Sequence, residues 1–374
     1  MRELRAGIVG TGFVGKIHAR SIRVAGARLA GVASSSPESA AAACRELGAE
    51  RSYADAEELI ASDAIDVVHI CTPNKLHELL AVAAAQAGKH VVCEKPVALD
   101  SAGADRILSA TAAAGVVATV PFVYRFYPTV RECRARLHSG ATGQVRVMHG
   151  GYLQDWLSAA EDYNWRVDPA LGGASRAFAD IGSHWCDLLE FVTGQRIARL
   201  VARTAIAHPE RVPSSRAAFS RGGATGRGEP VETEDVAAVL FETDGGATGS
   251  MLVSQVSAGF KNKLWFEVTA ESETIGFDQE HPDTLAIRTR TGTRQLPRDF
   301  DTLASAATPY VTLPGGHPQG YHDCFDLFVA DTYAAIAGSP PADGLPGFVD
   351  GLRATEITEA VIDSARRGTW VEVA

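Results

Sequence analysis

The sequence predicts two α/β bodies in series: an N-terminal, doubly wound domain on a parallel sheet (residues 1–122), then a C-terminal α+β domain on a large, mostly antiparallel open sheet (residues 123–374). Three observations carry this. The 374 residues suffice for two domains at roughly 150 residues each, with a full core in both. Up to residue 122, short apolar runs alternate with stretches of helical spacing, and beyond it strand-like stretches follow one another. A glycine-rich turn falls directly between the first strand and the first helix.

Arg5 to Gly10 reads as the first strand, Val14 to Ala25 as the first helix and Arg28 to Ala33 as the second strand. Ser36 before Pro37 is a helix start, an N-cap hydroxyl with proline at the first helical position, and Gly48 stands where a left-handed residue ends that helix. Asp66 to Cys71 is the next buried run, Leu76 to Ala87 an alanine-rich helix closed by Gly88, and His90 to Cys93 a strand. Asp100 to Ala114 is a helix ended by Gly115, and Val116 to Val120 is one more strand. Helices of this length between strands imply parallel pairing with right-handed crossovers and both sheet faces covered.

Composition narrows the function. Hydrophobic residues make up 46% and charged residues 21%, with mean hydropathy near zero, which describes a globular chain. The apolar runs are far short of the ~20 residues that span a bilayer, and the N-terminus enters a strand with no signal-peptide pattern, so a cytoplasmic location is expected. A net charge of −10 repels phosphate backbones and anionic lipid, which argues against nucleic-acid or membrane partners. The cysteines (Cys44, Cys71, Cys93, Cys133, Cys186, Cys324) form no C-x-x-C pair and read as reduced thiols.

Gly10-Thr11-Gly12-Phe13-Val14-Gly15 is G-x-G-x-x-G at a strand-to-helix turn. The first glycine permits the turn, the second admits a pyrophosphate, and the third lets helix and strand pack closely, while the helix N-terminus supplies N–H donors. A dinucleotide site is therefore expected on Gly10, Thr11, Gly12, Phe13 and Val14. The residue facing the adenosine ribose lies about twenty positions on, at Ser34 with Ser35 beside it. No acidic residue marks NAD there and no arginine marks NADP; the missing arginine tilts the expectation toward NAD.

Two further segments leave the ends of strands: Cys71-Thr72-Pro73-Asn74-Lys75-Leu76-His77 and Cys93-Glu94-Lys95-Pro96. Later come Phe122-Val123-Tyr124-Arg125-Phe126, Tyr152-Leu153-Gln154-Asp155-Trp156, Tyr163-Asn164-Trp165-Arg166 and Asp180-Ile181-Gly182-Ser183-His184-Trp185-Cys186-Asp187. Together with the glycine turn, these resemble the Gfo/Idh/MocA family of glucose-fructose oxidoreductase and inositol dehydrogenase, over nearly the whole chain. The resemblance implies a Rossmann domain, metal-free chemistry on sugars or polyols, and a lysine and histidine that share the proton transfer, here Lys95 and His184, with Asp180 as the orienter. It adds Thr72, Pro73, Asn74, His77, Glu94 and Lys95 to the cofactor site. Ala174-Ser175-Arg176 departs from the family pattern of a third glycine and a leucine, and leaves the conformation leading into the signature open.

The residues support this chemistry on their own. Asp180, His184 and Asp187 share one face of a helix over Ile181 to Phe191, and a carboxylate beside an imidazole fixes its tautomer and raises its basicity, as a general base for a sugar hydroxyl needs. The same trio has the donor types for zinc, but an adjacent dinucleotide site already supplies a hydride acceptor, so no metal is expected. Lys95, half-buried beside a cationic nicotinamide, is expected to exchange a proton near neutral pH.

In the second domain a helix (Pro128 to His138) precedes strands at Gln144 to Leu153, Ile197 to Ile206, Val236 to Glu242, Ala247 to Ser257, Leu264 to Ala270 and Thr284 to Arg288, with a hairpin turn at Asp244-Gly245. Two helices, Gly320 to Ala337 and Gly347 to Arg367, close the chain, and His208 to Pro230 reads as a mobile surface loop. About five or six strands are expected, with an open face that in the resembled family pairs with another subunit, giving a homodimer or homotetramer. Tyr124, Gln154, Trp156, Arg166, Asp180, His184 and His322 are the candidate substrate residues, with Arg125 and Asp155 near them, and Trp165 and Arg166 are also candidates for the cofactor. The expected activity is hydride transfer between nicotinamide and a secondary alcohol of a sugar, inositol or cyclic polyol. Two alternatives remain: a transient oxidation within an eliminating or glycoside-cleaving cycle, and a non-catalytic NAD(P) sensor.

Overall fold

The computed structural model describes residues 3–212 and 227–374, and the chain forms two compact units. The first comprises residues up to 123 with 170–173 and 322–355; the second comprises 124–169, 174–321 and 356–374. The chain therefore returns to the first unit where the strand rhythm suggested a single crossing at 122/123. The physical reason is burial: Phe348 and Ala354 lie in the first unit's core, and Val120 N–H donates to Pro346 O at 3.1 Å.

The first unit is built on β1 (Arg5–Val9), α1 (Phe13–Val24), β2 (Arg28–Ala33), α2 (Pro37–Leu47), α3 (Ala56–Ala61), β3 (Val67–Ile70), α4 (His77–Gln86), β4 (His90–Cys93), α5 (Ser101–Ala114) and β5 (Ala118–Thr119). All five strands are parallel in the order β2-β1-β3-β4-β5. β3 and β4 are buried almost throughout, as strands covered on both faces must be. The helix ends follow their expected residues. Ser36 Oγ accepts from Ser39 N–H at 3.2 Å, Asp100 caps α5 through Gly103 N–H at 2.7 Å, and Gly48 and Gly115 close their helices left-handed.

The second unit begins with α6 (Pro128–His138) and β6 (Val145–Leu153), then α7 (Pro169–Gly172, whose last three residues belong to the first unit) and α8 (Ser183–Thr193). Strands β7 (Ile197–Ala205), β8 (Glu210–Arg211), β9 (Glu229–Pro230), β10 (Val236–Thr243), β11 (Thr248–Ser254), β12 (Lys263–Ala270), β13 (Thr274–Asp278), β14 (Thr284–Thr289) and β15 (Gly292–Pro297) follow. Helices α9 (Tyr321–Ile336) and α10 (Phe348–Arg367) and strand β16 (Val371–Glu372) end the chain.

The main sheet has nine strands in the order β15-β14-β13-β12-β6-β11-β10-β7-β16, antiparallel except for β6 beside β11. Three of these exceed the expected five or six. β13 is five residues directly after a turn with only Ile275 and Phe277 in alternation, β15 is an exposed polar edge strand, and β16 is two residues long, so each carries too short or too polar a pattern to read as a strand. α6 and α8 lie against one face, where the Trp185 indole N–H donates to Trp265 O at 2.8 Å. The segment expected as a mobile loop is anchored at both ends: β8 pairs with β9, and Arg211 is buried. Its middle, 213–226, lies outside the described residues. Among the described residues, no helix is long and apolar enough to cross a membrane.

Candidate active site

The sheet order of the first unit reverses between β1 and β3, and ligands of open α/β sheets bind at such a switch point. The glycine turn follows β1 there. Gly10 has φ +94°, and a Cβ on it would lie 2.5 Å from Cys71 O, so only glycine closes this turn against the loop after β3. A Cβ at Gly15 would lie 2.3 Å from Gly10 O, which sets how tightly α1 packs on the turn. A Cβ at Gly12 would meet nothing within 4 Å, leaving room for a pyrophosphate beside the first N–H groups of α1. Thr11 Oγ1 and Ser34 Oγ share a hydrogen bond of 3.0 Å, joining the turn to the end of β2, with Ser35 and Phe13 exposed and Val14 half-buried beside them. Thr72 Oγ1, in the next loop, is buried and has no hydrogen-bond partner among the described residues. The open cradle and the unsatisfied hydroxyl fit a bound dinucleotide.

The loops after β3 and β4 are tied together from inside. His77, expected at the cofactor, is fully buried: its Nδ1 lies 2.7 Å from Pro96 O and its Nε2 2.9 Å from Thr72 O. Both ring nitrogens lie against backbone carbonyls of the two loops, so His77 links one loop to the other. Asn74 donates to Gly172 O at 2.9 Å, and Pro73 precedes it half-exposed. Glu94 is buried, its Oε1 3.2 Å from His18 Nε2 and its Oε2 accepting the Lys95 backbone N–H at 3.2 Å. Burial raises its pKa, but the His18 hydrogen bond and the neighbouring Lys95 and His77 outweigh this and hold the carboxyl below its ordinary value. The Lys95 side chain is half-buried and its bond to Pro96 is cis.

His69 on β3 is buried completely, and that burial pushes its pKa well below the ordinary histidine value. The unfolded chain then takes up a proton below about pH 6.5 that the folded chain refuses, so the unfolded state binds more protons and stability rises with pH. The contribution is complete above about pH 6.5 and is lost on acidification at up to about 1.4 kcal/mol per pH unit. Urea unfolding between pH 7 and 5 is expected to show this slope, and His69→Gln to flatten it; equal slopes in both proteins would contradict it.

The second unit gathers the remaining candidates. A single π-helical turn, Phe178–Gly182, runs into α8 and carries Asp180 just ahead of His184; such turns recur at functional sites. Asp180 Oδ1 accepts from Arg166 Nε at 3.1 Å and Oδ2 from Gln255 Nε2 at 2.8 Å. Arg166 also reaches Asn164 Oδ1 at 3.2 Å and lies over the Trp165 ring at 4.4 Å. His184 is buried with its ring edge-on to Tyr124, centroids 5.1 Å apart.

Beside it runs a closed hydrogen-bond ring. Tyr152 O–H donates to Asn262 Oδ1 at 2.6 Å, so Tyr124 O–H donates to Tyr152 across 2.5 Å, and Asn262 Nδ2 returns to Tyr124 at 3.3 Å. Burial keeps the Tyr152 phenol protonated, raising its pKa well above the ordinary value. Gln154 Nε2 joins Asn262 Oδ1 at 2.8 Å and takes the Trp156 indole N–H on its own oxygen at 2.9 Å.

The remaining candidates have the following places. Arg125 makes a buried two-point ion pair with Asp187, Nε to Oδ2 at 2.8 Å. His322 is exposed on the first turn of α9 and belongs with the first unit. Asp155 pairs with Lys261. Sequence reasoning missed Gln255, Lys261 and Asn262; Asn262 sits in the bend just before β12, where an asparagine reads as an ordinary turn residue, and its role depends on a tyrosine 138 positions away. All six cysteines are free, four of them buried, and among the described residues no cluster of three or more His, Cys, Asp or Glu is arranged for a metal ion.

Comparisons with known proteins identify the family and the fold. Residues 4–122 match the model of an oxidoreductase family with an NAD-binding Rossmann fold, and residues 130–275 match the GFO/IDH/MocA C-terminal domain. The chain is 32% identical to a levoglucosan dehydrogenase of Pseudarthrobacter phenanthrenivorans over 393 aligned positions, covering 100% of this chain and 99% of that one. A solved levoglucosan dehydrogenase in complex with NADH and L-sorbose superposes with a TM-score of 0.90 at 28% identity, covering 100% of both chains. An inositol dehydrogenase homolog from Azotobacter vinelandii, complexed with NAD+, gives a TM-score of 0.82 at 27% identity over 99% of this chain and 97% of that one. With the glycine cradle at the switch point and both family models matched in order, the chain belongs to the Gfo/Idh/MocA family of NAD-binding oxidoreductases.

Proposed function

We propose that this protein is a dehydrogenase that oxidises a secondary alcohol of a sugar, an inositol or a related cyclic polyol. Bound NAD supplies the hydride acceptor. Lys95 and His184 share the hydroxyl proton released from the substrate, and Asp180, held between Arg166 and Gln255, orients His184. The carrying observation is the lining of the second unit. His184 lies against the Tyr124 ring, and Tyr124, Tyr152, Asn262, Gln154 and Trp156 form one continuous chain of hydroxyl, amide and indole groups. Rings that stack on C–H faces beside amides that bond hydroxyls suit a polyhydroxylated ring. Full-length similarity to levoglucosan dehydrogenase, together with the inositol dehydrogenases, supports that substrate class.

The test is a panel of anhydrosugars, inositols and aldoses with NAD+, read by nicotinamide absorbance. Net NADH formation with a cyclic polyol is the expected result; tight cofactor binding with no turnover across the panel would overturn the assignment. We also place a second copy of the chain on the open sheet face, where Val147, Leu240 and Leu252 are exposed on one side. Sedimentation at micromolar concentration is expected to give a dimer or tetramer, and a monomer would refute it.

A further inference from the structure

We propose that Tyr333, His69 and His18 form a one-way hydrogen-bond relay that clamps the Glu94 carboxylate onto the Lys95 backbone and so acts as the positioning device for Lys95. All these residues belong to the first unit. Tyr333 O lies 2.8 Å from His69 Nε2, His69 Nδ1 lies 2.8 Å from His18 Nδ1, and His18 Nε2 lies 3.2 Å from Glu94 Oε1. Glu94 Oε2 in turn accepts the Lys95 N–H at 3.2 Å. His18 and His69 are wholly buried, and Tyr333 and Glu94 are buried with them.

The direction follows from donor and acceptor chemistry. A carboxylate only accepts, so His18 Nε2 carries its proton and, in a neutral ring, His18 Nδ1 is a lone pair. His69 must then donate from Nδ1, which leaves its Nε2 to accept from the tyrosine hydroxyl. Every polar atom in the row is satisfied without placing a charge on either buried imidazole. The opposite direction needs a doubly protonated His18, a full cation in a wholly buried ring, where the neutral row needs none. The edge-on packing of His18 against His69 and Phe325, at 5.1 Å between centroids in both cases, fixes the rings in the plane the relay needs.

The consequence is mechanical. Glu94 is bonded through both oxygens, one to the relay and one to Lys95, so the carboxylate holds the start of the Lys95-Pro96 turn at a fixed distance from α1 and β3. The use of this device in catalysis rests on Lys95 being a proton carrier, but the relay itself is testable without any substrate.

Nitrogen-15 spectra of histidine-labelled protein, assigned through His18→Gln and His69→Gln, read the tautomers directly. His18 protonated on Nε2 and His69 on Nδ1, both neutral at pH 7, is the expected result; any other tautomer, or a charged ring, overturns the relay. Amide hydrogen exchange then tests the clamp. Protection of the Lys95 N–H is expected to fall at least tenfold in His18→Phe and to return in His18→Gln, whose amide replaces the Nε2 donor, while the amides of β4 stay unchanged. Unaltered Lys95 exchange in His18→Phe, or exchange in His18→Gln as fast as in His18→Phe, overturns the clamp. If His18→Phe does not fold, the tautomers of the unmodified protein still decide. Should Lys95→Ala retain turnover while tautomers and exchange come out as expected, the proton-carrier role falls and the relay stands.

Discussion

Lys95→Ala is expected to lower turnover on a confirmed substrate by at least about a hundredfold, the low end of what a positioned proton-transfer group supplies, or about 2.7 kcal/mol of barrier. NAD is expected to bind with little change, because the cradle that fits the pyrophosphate is built from Gly10, Gly12 and the start of α1, and its partner loop is held by His77. Single-turnover absorbance with NAD+ in excess measures the first quantity and quenching of protein fluorescence by NADH the second. Lys95→Arg is not expected to restore the rate, since a guanidinium stays protonated and returns no base. If Lys95 and His184 share one proton, His184→Ala in the Lys95→Ala background is expected to cost far less than it does alone. Turnover within threefold of the unaltered protein would remove Lys95 from the chemistry.

Much of this was legible in the sequence because it is local. Gly10 to Gly15 declare a turn by residue type alone, and the capping residues Ser36, Gly48, Asp100 and Gly115 act on neighbours three or four positions away. Asp180 and His184 stand four positions apart in the sequence, but the π-helical turn that carries Asp180 into α8 has no residue-type signature. What the sequence hid depends on distant partners. His77 looks like a ligand in a motif at the end of a strand, and only the approach of Thr72 and Pro96 from two loops shows that both nitrogens lie against backbone carbonyls. Asn262 carries no signal until the fold brings it to Tyr124 and Tyr152. The return of 322–355 to the first unit is equally silent, because Phe348 and Ala354 have the same apolar spacing whichever core they fill. Ala174-Ser175-Arg176, which departs from the family pattern, resolves into a buried ionic anchor: the Glu234 carboxylate accepts from Ser175 Oγ, Arg176 N–H and Phe178 N–H.

Asp235→Asn, beside that anchor, is expected to destabilise the protein by about 3–5 kcal/mol, the cost of breaking a buried ion pair from one side. Asp235 is inaccessible and accepts from Arg176, from Arg211 at 3.0 Å and from the backbone N–H groups of Ala207 and His208 at 2.7 and 3.2 Å. Burial raises its pKa, but the two guanidinium groups outweigh this and keep the carboxyl ionised, below its ordinary value. An asparagine of the same shape keeps the backbone contacts and removes the one carboxylate that both guanidinium groups share. Arg211 still has three carbonyls, Ala159, Asp162 and Leu157, all within 2.8 Å. Arg176 has no such reserve, since its Nε and Nη1 lack partners among the described residues. Arg176→Met added to Asp235→Asn therefore restores the charge balance and is expected to recover at least about 1 kcal/mol, a coupling of the size found between groups in contact. Urea unfolding of the four proteins of the cycle measures both numbers. A loss below about 1 kcal/mol in Asp235→Asn, well under the usual penalty for one-sided removal, would mean that water reaches the guanidinium groups and that the turn leading to Asp180 is not held by this cluster.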